Sequence, residues 1–91
     1  MGDEHIIYIG KKPTMNYVLA VVSQFNSGIP KVTVKARGRA ISKAVDVVLI
    51  VKDRFVQTSE IQGITVNTEV LESSEGQPTK VSSIEIPMIK S

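Results

Sequence analysis

The spacing of apolar residues changes once along this chain, and this change restricts the possible folds more than any other feature. Two stretches before residue 60 repeat apolar side chains every three or four residues, which is the period of an amphipathic helix. From Ile61 onward apolar and polar residues alternate, which is the period of a half-buried strand. The sequence therefore predicts a mixed fold in which two strands follow the helical part.

The first part of the chain predicts a strand, a helix and a second strand. Residues 5–9 form a short apolar run typical of a strand, and alternation over residues 32–37 predicts another. Pro13 suits the first position of the helix between them, and Gly28 and Pro30 are typical of its end. The predicted apolar face of this helix has five residues: Met15, Val18, Leu19, Val22 and Phe25.

Residues 41–55 fit two interpretations. Their richness in valine and isoleucine is typical of a buried strand. However, the segment is about fifteen residues long, which favours a helix. Its apolar spacing is also helical, through Ile41, Ala44, Val45, Val48, Val51 and Phe55. On pattern alone, the helix is favoured.

The last third of the chain predicts a long β-hairpin. Alternation over residues 61–71 and 84–89 flanks a polar segment, residues 72–80, in which Gly76 and Pro78 are turn formers. Strands of about twelve residues reach roughly 40 Å, at about 3.3 Å per residue. A globule of this size has a diameter near 30 Å, from a radius of gyration of about 12 Å. We therefore expect the hairpin to protrude, the alternative being shorter strands with a longer loop.

Two loops of the predicted topology carry glycine and basic residues. If the first two strands are parallel neighbours, the loops at residues 10–13 and 35–39 leave the same edge of the sheet. Each loop then opens a helix, whose N-terminal N–H groups favour anions. The sequence thus predicts one phosphate-binding patch. Its candidate cations are Lys11, Lys12, Lys35, Arg37, Arg39 and Lys43.

The charge of the chain is unevenly distributed. The formal net charge is only +2, but residues 1–54 hold nine basic and four acidic residues, whereas residues 55–91 hold two basic and five acidic ones. Residues 10–45 contain seven basic residues and no acidic one. Such asymmetry indicates a surface that faces a polyanion, although a simple solvated cationic surface is the alternative.

The residue inventory argues against an enzyme. His5 is the only histidine, there is no cysteine, and the carboxylates are scattered without a spacing typical of acid–base partners or metal ligands. We expect no cofactor, metal site or small-molecule substrate. No apolar stretch is long enough to cross a membrane, and the first five residues do not resemble a signal peptide. With 91 residues, we expect a single domain spanning 1–91.

Two aromatic residues have no assigned place in the core. Tyr17 lies off the main apolar face of the first helix, where packing against a neighbour is favoured over stacking on a base. Phe55 ends the second helix, and it either fills a local part of the core or forms an oligomer contact.

Two blocks of the sequence resemble the Alba family of archaeal chromatin proteins. These are residues 9–18 (IGKKPTMNYV) and residues 35–46 (KARGRAISKAVD), and residues 84–86 (IEI) resemble the family's closing strand. The resemblance implies an α/β (α+β) single-domain β-α-β-α-β-β sandwich with a long protruding C-terminal β-hairpin. This fold is similar to the C-terminal domain of a bacterial translation initiation factor. The resemblance also implies that residues 41–55 are helical.

The resemblance assigns roles to individual residues. Lys11 and Lys12 match a lysine pair that meets the nucleic-acid backbone and are candidate acetylation sites. Arg37 and Arg39 match the arginines of the second basic loop, and Phe55 matches an aromatic used where dimers meet along DNA. The chain departs from the family at the hairpin tip, where relatives often carry basic residues. The residues here are Glu72, Glu75 and Lys80, and we expect this tip to add little affinity.

The resemblance further implies a function and partners. The family's function is coating and compaction of double-stranded DNA with little sequence preference, together with binding of RNA. The alternative is a protein that mainly binds RNA, in RNA stabilisation or ribonucleoprotein assembly. The implied assembly is a homodimer, or a heterodimer with a paralogue, which joins further dimers on DNA. The implied location is the cytoplasm, on the chromosome.

Overall fold

Five strands and two α-helices make up the described part of the chain in the computed structural model, which describes residues 5–73 and 75–90. In chain order the elements are β1 (His5–Tyr8), α1 (Thr14–Asn26), β2 (Lys31–Arg37), α2 (Ile41–Ile50), β3 (Ser59–Ile61), β4 (Thr65–Glu72) and β5 (Pro78–Lys90). A 3₁₀ turn at Gly38–Ala40 precedes α2, and a π-helical turn at Val51–Phe55 follows it. None of these helices is long and apolar enough to span a membrane.

The strands form one sheet in the order β1-β2-β5-β3, with β4 also paired to β5. β1 and β2 are parallel, and the other pairs are antiparallel. Alternate residues of β2 and β5 are buried with residues of both helices in one core, so both helices cover the same face. The predicted sandwich is therefore confirmed, and no helix of the described residues covers the opposite face of the sheet.

Helix α1 is present as predicted, but its buried face is rotated from the predicted one. Val18, Val21 and Phe25 are buried, whereas Met15 and Leu19 are about half exposed. The difference arises because α1 packs against β1, β2 and α2 at the same time. The side of α1 that faces these elements is therefore centred near Val21. Met15 and Leu19 belong to the predicted apolar face but lie outside the core.

Residues 41–50 are α-helical, so the helical interpretation of this segment is confirmed. Ala44, Val47, Val48 and Val51 are buried at helical spacing. At its end the helix widens, and the N–H of Val56 donates to the carbonyl oxygen of Val51 at 2.7 Å. The β-branched residues that suggested a strand thus form the apolar layer that α2 places over the sheet.

The C-terminal hairpin is longer on one side than on the other. β5 runs for 13 residues, whereas its partner is divided into β3 and β4. Ile61 pairs with Met88 and Thr65 pairs with Glu85, so three residues on one side face two on the other. This one-residue bulge explains the strand β3, which the sequence pattern did not separate.

Strand β4 and the first part of β5, residues 65–85, form a projection that we call the arm. Pairing continues to its tip, where Glu72 lies opposite Pro78. All residues of β4 except Leu71 are exposed, and the molecule measures 45 × 31 × 19 Å. The radius of gyration, 14.0 Å, exceeds the value of about 12 Å expected for a globule of this length. The prediction of a protruding hairpin is confirmed, but the connection is shorter than the predicted residues 72–80, because β4 extends to Glu72 and β5 begins at Pro78.

Candidate nucleic-acid interface

The two predicted basic loops lie side by side. Because β1 and β2 are parallel, the loops that follow them leave the same edge of the sheet, as predicted. Between them lies a surface depression of about 630 Å³. Four of the predicted cations line it: Lys11, Arg37, Arg39 and Lys43. We call these four, with Lys12 in the first loop, the loop patch.

The first loop is held by the side chain of Lys43, which comes from α2. Its Nζ donates hydrogen bonds to the carbonyl oxygens of Gly10, at 3.1 Å, and Lys12, at 2.8 Å. An ammonium group has three N–H donors, so one remains for another acceptor. Lys43 therefore both contributes charge to the loop patch and ties the first loop to α2.

Tyr17 holds the same loop from α1. Its hydroxyl oxygen accepts hydrogen bonds from the backbone N–H of Gly10, at 2.9 Å, and of Lys12, at 3.1 Å. The Nζ of Lys43 lies 5.9 Å from the centre of the Tyr17 ring, within the range of a cation–π interaction. In the first loop, Tyr17 thus binds the backbone N–H groups of Gly10 and Lys12, and Lys43 binds the carbonyl oxygens of the same two residues.

Two glycines favour this geometry. A Cβ atom at Gly10 would lie 3.3 Å from the Tyr17 hydroxyl oxygen, so any side chain there would press on that contact. Gly38 has a φ of +59°, a conformation that side-chain-bearing residues rarely adopt. Gly38 lets β2 turn directly into the 3₁₀ turn that carries Arg39.

The helices that follow the loops present their N-termini to the same edge of the sheet. Neither α1 nor α2 has an acidic residue in its first turn or a side chain that caps its N-terminal N–H groups. Helix N-termini carry partial positive charge, equivalent to about half an elementary charge. This charge adds to that of the loop patch and favours an anion there.

The six predicted cations differ in their partners. Within residues 5–73 and 75–90, the ion pairs are Lys35 with Glu85, at 3.6 Å, and Arg37 with Glu69, at 3.2 Å. The side chains of Lys11, Lys12 and Arg39 are exposed and have no partner in that part of the chain. Lys35 lies on the helix-free face of the sheet, beside Arg37 and away from the other four.

Phe55 is 45% exposed and lies outside the core cluster. Of the two roles open to it from the sequence, filling the local core does not fit this position. It ends the π-helical turn that follows α2. The side chain is therefore available to contact another molecule.

Two residues of this region were missed or given no role by the sequence reasoning. Tyr17 was expected only to pack against a neighbour, but its hydroxyl organises the first loop. Glu69 was not singled out, because its partner Arg37 lies 32 residues away along the chain. For Tyr17 a signal existed, since a tyrosine five residues after a lysine pair can reach back over one helical turn. For Glu69 only the pairing of β4 with β5 reveals the contact.

A small α/β sandwich with a cationic loop patch at one sheet edge defines a class of protein that presents a binding surface to an anionic partner. The Alba family model matches residues 5–68 of the chain. The chain is 54% identical over 86 residues to the DNA/RNA-binding protein Alba of Methanocella arvoryzae, which covers 94% of this chain and 90% of that protein. It is 51% identical over 88 residues to the protein of the same name from Thermoplasma volcanium, with 97% and 98% covered.

Solved structures agree with these sequence comparisons. The structure of Alba from Thermoplasma volcanium matches 94% of this chain and 100% of its own, with a TM-score of 0.90 and 50% identity. The structure of ALBA1 from Trypanosoma brucei matches 100% of this chain and 73% of its own, with a TM-score of 0.77 and 26% identity. The chain belongs to the Alba family.

Proposed function

We propose that this protein is a non-enzymatic, dimeric nucleic-acid-binding protein that coats double-stranded DNA with little sequence preference and also binds RNA. The observation that carries the proposal is the loop patch, in which Lys11, Lys12 and Arg39 are exposed and without an ionic partner among the described residues. The relatives named DNA/RNA-binding protein Alba support both kinds of nucleic acid as ligands. The proposed location is the cytoplasm, on the chromosome.

Electrostatics accounts for the affinity and for the lack of sequence preference. Lysine and arginine that neutralise phosphates release counterions from the nucleic acid, and this term is independent of base sequence. The polar side chains that line the depression between the two loops are all cations. None of the lining residues is an asparagine or a glutamine, the side chains that read adenine edges. Contacts of this kind position a protein on a duplex without specifying a sequence.

A dimer is supported by an apolar surface beside the arm. Val45 and Leu49 are exposed on one side of α2, which packs on β5. Val66, exposed on β4, pairs with Ile84 and so lies on the same face of the sheet as the helices. The chain exposes 6107 Å², against about 5,200 Å² expected for a monomer of 9.9 kDa. A second copy, related by a two-fold axis, would cover these exposed apolar residues.

Acetylation of Lys11 or Lys12 would weaken this binding. Acetylation removes the positive charge and leaves the loop intact, because only the backbone of this loop is bonded to Tyr17 and Lys43. A variant with acetyl-lysine at position 11 should bind duplex DNA more weakly than one with acetyl-lysine at Lys31, at the far end of β2. Equal affinities for the two acetylated proteins would reject this role.

The proposal is tested by direct binding to unrelated sequences. We expect dissociation constants for three duplex DNAs of low, medium and high GC content to agree within about threefold at one salt concentration, because base edges contribute little. A duplex RNA measured in the same salt should also bind. Absence of binding to duplex DNA, or a preference above about tenfold for one sequence, would contradict the proposal. If RNA bound far more tightly than every duplex DNA, a mainly RNA-binding function would replace it.

A further inference from the structure

A second concave surface lies on the helix-free face of the sheet. Its volume is about 430 Å³, within the range of sites that hold a small molecule or a nucleotide. Six side chains matter for its chemistry: Tyr8, Lys35, Arg37, Glu69, Ser83 and Glu85. We call this surface the sheet cleft. It shares Arg37 with the loop patch, and Ile9 lines both this cleft and the depression between the two loops.

The register of the strands places five of these six side chains in two adjacent rows, and Glu69 lies one row further along, opposite Val81. Tyr8 of β1 pairs with Lys35 of β2, which in turn pairs with Glu85 of β5. In the next row Arg37 pairs with Ser83. Because side chains on a strand alternate between faces, both rows project from the helix-free face. The cleft is therefore built on paired residues of β1, β2 and β5.

Tyr8 is the most exposed aromatic side chain of the described residues, at 68%. The Nζ of Lys35 lies 6.0 Å from the centre of its ring. Because Tyr8 is so exposed, most of the ring remains open to solvent. An exposed aromatic ring on a sheet beside basic residues is a surface on which a nucleic-acid base can stack. Every base has such a flat face, so this contact needs no particular sequence.

The charges of the cleft favour a base over a phosphate. Lys35 lies 3.6 Å from Glu85, and Arg37 lies 3.2 Å from Glu69, so the two cations are balanced by two carboxylates. A balanced set attracts a phosphate weakly, but it places hydrogen-bond donors and acceptors next to an aromatic ring. Carboxylates accept from the amino groups of bases, and lysine and arginine donate to base carbonyl oxygens.

We propose that the sheet cleft binds an unpaired nucleotide of RNA or single-stranded DNA, with its base stacked on Tyr8. Bases inside a duplex are stacked on each other and cannot reach this ring, whereas a splayed single-stranded base can. Arg37, at the border of the two surfaces, would allow one strand to contact both. The inference rests on the proposed function only in taking nucleic acid as the ligand, and it adds a site that distinguishes single strands from duplexes.

The test compares Tyr8→Ala and Tyr8→Phe with the unchanged protein. The ligands are an unstructured 15-nucleotide RNA, the DNA of the same sequence, and the corresponding DNA duplex. Tyr8→Ala removes the ring on which a base would stack. This variant should therefore bind both the RNA and the single-stranded DNA about five- to fiftyfold more weakly than the unchanged protein. Binding of the duplex should change less than about twofold, since the phosphate contacts are retained. Tyr8→Phe keeps the stacking face and should bind all three ligands like the unchanged protein.

Tyrosine fluorescence provides a second readout. The chain has two tyrosines and no tryptophan, and Tyr17 is partly buried. Stacking on Tyr8 should quench the emission of the unchanged protein when single-stranded RNA is added, and Tyr8→Phe should abolish most of this quenching. An undiminished single-strand affinity of Tyr8→Ala, or equal losses for single strands and duplex, would overturn the sheet cleft as a single-strand site. Failure of the unchanged protein to bind the duplex would instead contradict the proposed function.

Discussion

The loop patch and the sheet cleft meet at Arg37 but differ in how their charges are engaged. In the loop patch, Lys11, Lys12 and Arg39 are exposed and without ionic partners in the described chain. In the sheet cleft, Lys35 and Arg37 are each paired with a carboxylate. Basic residues that lie close together in the sequence thus differ: some are free to bind a polyanion, and others are already paired with a carboxylate. The comparison shows why counting basic residues did not separate the two surfaces.

The largest effect is expected from removing the two lysines of the loop patch. In a dimer, Lys11→Ala with Lys12→Ala deletes four cations, and if each neutralises one phosphate, duplex affinity near 0.15 M salt should fall about 10²- to 10³-fold. The loss should be similar for unrelated sequences. The measurement is a binding titration with fluorescently labelled duplexes.

A matched control keeps the change in net charge and moves its position. Lys31 and Lys90 are exposed at the opposite end of the sheet, near the start of β2 and the end of β5. Lys31→Ala with Lys90→Ala should cost far less affinity. Equal losses for the two double variants would mean that net charge, and not the loop patch, determines binding.

A smaller effect is expected from Tyr17→Phe, which removes the oxygen that accepts hydrogen bonds from Gly10 and Lys12. All cations remain, but the loop is less ordered, and duplex affinity should fall about three- to tenfold, in line with one or two lost hydrogen bonds. The dependence of affinity on salt should stay the same. Tyr8→Phe, which removes an exposed hydroxyl elsewhere, is the control. A weaker salt dependence in Tyr17→Phe would refute a purely positioning role.

Glu69→Gln should increase duplex affinity, by about two- to fivefold. Glu69 pairs with Arg37 at 3.2 Å and so competes with phosphate for this arginine. Both partners are about half exposed, and exposed pairs contribute about 1 kcal/mol or less, which limits the gain. Glu60→Gln removes the same charge from β3, at a distance from the loop patch. If both variants bind equally well, the pairing of Glu69 with Arg37 has no specific effect.

The smallest effect on binding of a single dimer is expected from Phe55→Ala. Its half-exposed side chain is available for contacts between dimers, so its loss should reduce cooperativity on long DNA. Affinity for a duplex that holds one dimer should change less than about twofold, because no phosphate contact is lost. A lower melting temperature with unchanged cooperativity would assign Phe55 to stability alone.

The sequence predicted those parts of the fold that depend on local patterns. The order of strands and helices, the protruding hairpin and the meeting of the two basic loops all follow from apolar spacing and from the geometry of parallel strands. The bulge between Ile61 and Thr65 was not predicted, because one extra residue hardly alters an alternating pattern. Met15 and Leu19 were misplaced because the direction in which a helix is buried depends on all of its neighbours.

The residues of the candidate site could be predicted from the sequence, but their hydrogen bonds and ion pairs could not. Lys11, Lys12 and Arg39 could be identified from loop position and charge. The ties of Lys43 to the carbonyl oxygens of Gly10 and Lys12 span more than 30 residues and depend on how α2 packs beside the first loop. The sheet cleft likewise depends on the register of three strands, which brings Tyr8, Lys35 and Glu85 into one row.

We propose that the exposed cations of the loop patch supply the affinity for duplex DNA. The slope of the logarithm of the binding constant against the logarithm of salt concentration counts the phosphates that these cations neutralise. If a dimer neutralises about six phosphates, the slope should be near −5, and the Lys11→Ala, Lys12→Ala double variant should reduce it to about −2. A slope near zero for the unchanged protein, or the same slope for both proteins, would contradict the claim.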